Sequence, residues 1–241
     1  MKKLLLFFTT ITLGLSLTSC LDGGSQNFSE TAIVYIDQHS IQTYGKALNG
    51  RGLIISQKIQ LMDPNNFYIF SYSWNEESGY TAIGDASAYN VNVISEEIKL
   101  QKTGLSQIPA PAETPTVKFK EIAEPIRDEE GKYIDDNWLF PYSYMGKEGE
   151  TPSASFFKRE GNSEKPNLVE IDIRLTKTGE GKGNDKVFTN YVGVDMSLLR
   201  QNYMGANNEI EIKFYYYVDG KDEPVASEKT YKMKKPSSSG N

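Results

Sequence analysis

The chain has 241 residues, 26 lysines and arginines against 32 aspartates and glutamates, one histidine and one cysteine. A net charge of −6 opposes nucleic acid and anionic surfaces as partners, and a lone cysteine leaves no intrachain disulfide or thiolate metal cluster. Fifteen tyrosines and frequent β-branched residues suit strands.

Lys2 and Lys3 open the chain, and residues 4–17 form an apolar run too short and too early for an ordinary membrane span. The run closes on Leu17-Thr18-Ser19-Cys20, which resembles the lipobox of bacterial lipoprotein precursors. That resemblance implies a signal peptide over 1–19, cleavage before Cys20 and acylation of Cys20, so the expected membrane contact is through N-terminal acyl chains. Leu21, not aspartate, follows the cysteine. The inner-membrane retention cue is therefore absent, and the expected place is the outer membrane of the cell envelope. Asp22 stands alone rather than in an acidic run, which leaves the periplasmic face and the cell surface both open. Removing 1–19 takes away two lysines and no acid, leaving 24 basic and 32 acidic residues and a net charge of about −8.

Residues 20–30 read as the acylated cysteine and a polar tether. Strand-like stretches follow at 31–36, 53–56 and 58–61, with turn clusters at 49–52 and 63–66. In 67–74, Tyr68, Phe70, Tyr72 and Trp74 alternate with Phe67, Ile69, Ser71 and Ser73, which predicts a strand covered on both faces for part of its length. Residues 75–84 read as a polar connection, and 89–94 resume period two, with 97–101 as an extension. The segment 106–116 holds Pro109, Pro111 and Pro115, each without a ladder donor. It reads as a connector between domains 31–105 and 117–235, the alternative being a long surface loop inside one domain.

Downstream, 116–122, 138–144, 154–159, 168–175 and 187–194 read as strands, with Pro141 marking an edge or bulge. Residues 196–203 carry the helical pattern, capped by Asp195 or Ser197. A last hairpin spans 209–218 and 225–233, and 236–241 read as a frayed tail. Many short strands with almost no helix predict an all-β sandwich or barrel.

Three stretches together resemble the NigD-like lipoproteins of the Bacteroides group. They are Leu17-Thr18-Ser19-Cys20-Leu21-Asp22, Tyr89-Asn90-Val91-Asn92-Val93-Ile94 leading to Lys99-Leu100, and Tyr191-Val192-Gly193-Val194-Asp195-Met196-Ser197-Leu198-Leu199. Trp138-Leu139-Phe140 departs from that family's Tyr-Leu-Asn-type strand. The resemblance implies a small OB-like barrel followed by a β-sandwich, which we read as immunoglobulin-like. It implies no activity, and only the family's naming after a bacteriocin operon suggests a protective role.

His39 alone supplies neither a Ser-His-Asp triad nor a two-histidine metal site. Residues 179–185 carry a glycine-lysine pair, but Gly183 follows where a phosphate loop needs Ser or Thr. Asp128, Glu129, Glu130, Asp135 and Asp136 offer oxygen ligands without EF-hand spacing, and Asp135 and Asp136 are the sole basis for reading the chain as an accessory component of polysaccharide hydrolysis or a weak carboxylate-based enzyme. The expectation is a non-enzymatic binding module for a protein or glycan partner, with no metal or cofactor and no nucleic acid. Its candidate ligand-binding aromatics are Tyr72, Trp74 and Tyr80 in the first domain and Trp138, Tyr142 and Tyr144 in the second; their alternative role is core packing.

Overall fold

The structure, a computed structural model, describes residues 27–115, 117–160, 165, 167–203 and 209–235. Cys20, the signal segment and the predicted tail at 236–241 lie outside the described residues. The chain divides into two compact units, Met1–Lys99 and Leu100–Asn241. Both are built of strands, and the all-β expectation stands.

The first unit contains β1 (Phe28–His39), β2 (Gln42–Ala47), β3 (Gly52–Ile55), β4 (Asn66–Trp74), β5 (Tyr80–Ile83), β6 (Ala86–Asn90), β7 (Asn92–Val93) and β8 (Ile98–Lys99). β1 pairs antiparallel with β2 on one side and with β4 along almost its whole length on the other, from Phe28 opposite Trp74 to Ile36 opposite Asn66. β2 continues to β3. β6 then runs parallel to β3, with Ile54 opposite Tyr89, while β7, one residue further along, pairs antiparallel with β4, with Tyr72 opposite Val93. The path β3-β2-β1-β4-β7 thus returns through β6 to β3. That closure, with a single parallel pairing, is the strand order of an OB-like barrel.

The barrel interior holds Val34, Ile36, Ile54, Ile59, Phe70 and Tyr72. Phe67 and Tyr68 are both buried, so β4 is covered on both faces at its start, as its aromatic alternation predicts. Gly45 permits the closest approach: a Cβ there would stand 2.5 Å from Val34 Cγ1 and 3.0 Å from Ile54 Cγ1. The predicted strand at 58–61 is instead a short 3-10 turn, Ile59–Leu61, started by the Ile59 N–H donating to Ser56 Oγ at 3.1 Å. Its apolar run misled because only Ile59 is buried, while Leu61 is exposed.

The second unit contains β9 (Gln101–Ser106), β10 (Phe119–Ile122), β11 (Asn137–Glu148), β12 (Thr151–Lys158), β13 (Leu168–Thr178), β14 (Lys182–Asp195), helix α1 (Ser197–Tyr203), β15 (Glu209–Tyr216), β16 (Val225–Ala226) and β17 (Tyr231–Lys234). Strand order is β10-β11-β14-β9-β12-β13-β15-β16, with β17 also on β15. β9 changes partner along its length. Gln101 to Gly104 run parallel to Val192 to Asp195 of β14, whereas Leu105 and Ser106 run parallel to Phe156 and Phe157 of β12. The other side is crossed as well: Phe119 pairs with Tyr144 and also bridges Val218, and Val117 bridges Leu175. Two packed layers are therefore joined along both sides by strands that switch layer.

These pairings correct the expected boundary. Residues 100–105, assigned from sequence to the first domain, supply β9 to the second, and 106–116 run from β9 to β10 within that unit rather than between domains. The prolines of 106–116 occupy a loop, the alternative reading of that segment.

One core fills the second unit, centred on Trp138, Phe140, Phe156, Ile171, Ile212 and Phe214. Val169, Ile171, Ile173 and Leu175 of β13 all point into it, as their alternation predicts. Asp195 Oδ1 accepts the Ser197 N–H at 2.9 Å, which starts α1, and Leu199 of that helix joins the core.

Candidate interaction surface

The six candidate aromatics separate sharply by burial. Tyr72 is buried in the barrel and donates its hydroxyl to Glu30. Burial, then the Glu30 carboxylate, push its phenol far above the ordinary tyrosine value. Trp138 sits at the centre of the second core, edge-on to Phe214 at 6.1 Å, with the Arg127 guanidinium 5.3 Å from its ring. Tyr142 meets Phe119 edge-on at 5.5 Å, and burial raises its phenol well above the ordinary value. Tyr144 stacks on Phe188 at 5.7 Å. These four rings are buried core and present no free face to a ligand. The strand pattern that singled them out is equally the pattern of a two-layer core, because layer-facing rings also recur every second residue.

Trp74 is half-buried. It stacks on Phe28 with centroids 5.4 Å apart and planes inclined by 21°. The Arg51 guanidinium lies 5.0 Å above it. Arg51 Nε also reaches Glu30 Oε2 at 3.3 Å, and the Glu30 side chain is only 8% exposed. Phe28, Trp74 and Arg51 thus form a stack at the beginning of β1, latched by a buried carboxylate.

Tyr80 differs from the rest: it is 62% exposed. It opens β5 directly opposite Tyr89 of β6, which is 38% exposed, and the ring centroids are 4.7 Å apart at 49°. The neighbouring Tyr89 side chain raises the Tyr80 phenol above its ordinary value. Sequence reasoning missed Tyr89 as a site residue, because β5 lies in a stretch read as a connection and its cross-strand partner was therefore invisible.

A continuous polar chain places this pair. Asn75 Nδ2 donates to Asn27 Oδ1 at 3.2 Å, and Ser78 Oγ donates to Asn75 Oδ1 at 2.7 Å. Asn90 Nδ2 donates to the Ser78 carbonyl at 2.8 Å, and Thr81 Oγ1 donates to Asn90 Oδ1 at 2.7 Å. The first described residue of the tether is thereby linked to the Tyr80–Tyr89 hairpin.

The acidic loop is occupied by its own chain. Asp128 accepts backbone N–H groups of Glu130, Lys132 and Tyr133 at 3.0, 2.7 and 2.6 Å. Burial works against its charge, but the backbone donors of Tyr133, Glu130 and Lys132 outweigh it and hold the carboxyl below the ordinary value. Both oxygens of Asp136 accept from Arg200 Nε, at 2.7 and 2.8 Å. Glu129 binds Arg127 at 3.2 Å and Lys234 at 2.6 Å. Among the described residues no group of three His, Cys, Asp or Glu side chains is placed to hold a metal ion. His39 is exposed, its ring beside Gly84. Residues 179–185 turn the chain from β13 into β14, so no helix follows the glycine-lysine pair.

No family model and no curated protein matches this chain. Solved structures do. A NigD-like immunity protein from Bacteroides caccae is similar at 14% identity and a TM-score of 0.50, over 86% of this chain and 96% of that one. A candidate lipoprotein from Bacteroides fragilis is similar at 9% identity and a TM-score of 0.55, over 86% and 98%. A candidate toxin-related protein from Parabacteroides distasonis is similar at 9% identity and a TM-score of 0.52, over 87% and 95%. At these identities the likeness is one of fold, and it extends over nearly the full length of each neighbour: the chain has the all-β, two-domain fold of these NigD-like and lipoprotein structures.

Proposed function

We propose that this chain is an exported lipoprotein of the outer membrane, held by acyl chains on Cys20, that serves without catalysis as a binding module for a protein or glycan partner. The observation that carries the reading is the spacing of anchor and fold. Leu17-Thr18-Ser19-Cys20 ends an apolar leader, and β1 begins at Phe28. The fold likeness to a candidate lipoprotein supports it. Engagement of both Asp136 oxygens by Arg200 of α1 weakens the carboxylate-enzyme reading, which needs that residue. Partner contact falls to loops and sheet edges, since the strand interiors are spent on the two cores.

Labelling cells with an alkyne-bearing palmitate tests the anchor. The wild type takes up label and Cys20→Ala does not; a labelled Cys20→Ala chain, or an unlabelled wild type, overturns the reading. Protease treatment of intact cells then separates the cell surface from the periplasmic face. Turnover of a polysaccharide or peptide by the purified chain would sink the non-enzymatic part.

A second reading, a protective lipoprotein linked to a bacteriocin, is favoured by the structural neighbour that is a NigD-like immunity protein. A deletion strain with unchanged toxin sensitivity rejects it.

A further inference from the structure

The exposed Tyr80–Tyr89 pair has no role in either core. Cross-strand tyrosines steady a hairpin, yet here both rings keep a solvent-facing area. Their place in the molecule supplies what the ring contact does not. Seven residues, 21–27, separate Cys20 from Phe28. Fully extended, such a segment spans at most about 25 Å. The start of β1 is therefore confined to a shallow layer above whatever Cys20 is attached to. Asn27 is joined through Asn75, Ser78 and Asn90 to the Tyr80–Tyr89 hairpin, so the rings belong to the part of the first unit nearest the tether.

We propose that the Tyr80–Tyr89 pair seats the first unit on the membrane itself, with both rings at the level of the phospholipid headgroups; this rests on acylation of Cys20. Tyrosine suits that position because its ring tolerates the acyl boundary while its hydroxyl meets water and phosphate oxygens. Little affinity is required. A short tether holds its cargo at an effective concentration of about a millimolar, so a weak surface contact is substantially engaged once the anchor is in place. Glu76 and Glu77, exposed in the turn before β5, fix the lipid class. Two exposed carboxylates in that turn, with Glu76 close enough to act on Tyr80, disfavour an anionic surface, and zwitterionic headgroups are the surface that fits. A sugar ring would stack on the same tyrosines; the short tether and the polar chain favour the bilayer over it.

The two tryptophans make the test selective. Trp74 ends β4 opposite Phe28, the first residue of β1, whereas Trp138 is fully buried in the second unit. The full-length chain, expressed and processed in its host and extracted from the membrane fraction, is reconstituted into vesicles of phosphatidylethanolamine and brominated phosphatidylcholine, and tryptophan quenching is read alongside flotation. The expected result is quenching of the wild type, its disappearance in Trp74→Phe, and its loss in Tyr80→Ser/Tyr89→Ser, which still floats with the vesicles. A matching far-UV spectrum and thermal midpoint show that the double variant is folded. Flotation without quenching, or quenching that survives in the double variant, overturns the seating while leaving the anchor intact. Failure to float overturns the acylation reading and the seating with it. Binding of a soluble oligosaccharide that the double variant loses, in vesicles that never quench Trp74, reassigns the rings to a glycan.

Discussion

Asp37 and Lys46 place a charge pair inside the wall of the barrel. Lys46 Nζ lies 2.7 Å from Asp37 Oδ2, and its side chain is only 8% exposed. Tyr44 donates its hydroxyl to the same carboxylate at 2.8 Å, and the ammonium lies 5.8 Å and 5.9 Å from the rings of Tyr35 and Tyr44. Burial opposes ionisation of Asp37, but hydrogen bonds from Lys46, Tyr44 and the Gln38 backbone prevail and lower its pKa below 3.8. A lowered carboxyl stabilises the fold fully above its unfolded value and loses that contribution as pH falls through the lower folded value. Acid unfolding should therefore steepen below pH 3.8. Asp37→Asn should cost about 1–3 kcal/mol at neutral pH, discounted from a fully buried pair because the carboxylate is partly wetted. It should also flatten the acid limb of a plot of urea midpoint against pH. An unchanged limb would assign the acid sensitivity to other carboxylates, Asp128 first among them.

At the scale of elements, Gly45 of β2 lets Val34 and Ile54 pack where a Cβ would stand only 2.5 Å and 3.0 Å from them. Gly45→Ala would press its methyl against Val34, and overpacking of this kind costs about 1–3 kcal/mol. A thermal midpoint lowered by Gly45→Ala and partly restored by adding Val34→Ala identifies the clash as the cause. A loss of the same size with Val34 already truncated would point to the backbone instead. The local pattern of 67–74 sufficed for β4, whose aromatic alternation specifies period and burial together. β5 was hidden: Tyr80-Thr81-Ala82-Ile83 mixes polar and apolar residues, and only pairing with β6 makes it a strand. β9 was hidden for a different reason. Its residues fit a strand, but nothing local says that their partners are β14 and β12. The candidate site was legible to the same extent: Tyr80 belongs to the aromatic set seen in sequence, while the burial of Tyr72, Trp138, Tyr142 and Tyr144 depends on layers that meet only in three dimensions.

At the scale of the whole molecule, the division at Lys99 and Leu100 is a statement about which residues must travel together. A chain of residues 100–241 keeps β9 and should fold on its own. A chain of 107–241, cut at the proline-rich segment, loses the strand that joins β14 to β12, together with the buried Leu105. It should show exposed apolar surface, read by dye binding, and no cooperative melt. Equal melts for the two fragments would make β9 a passenger.

The same strand imposes an order in time. Synthesis delivers β9 before any of its partners: residues 105 and 106 wait for 156 and 157, and residues 101–104 wait for 192–195. The first unit, complete by Lys99, can condense while the rest is still emerging. The second cannot close its seam until the chain has been released past Asp195, and pairings so distant along the chain are slow to form. Between those moments an unpaired edge stands open beside a finished domain, so the crossing strand is also the interval in which this protein is most exposed to aggregation and to proteases.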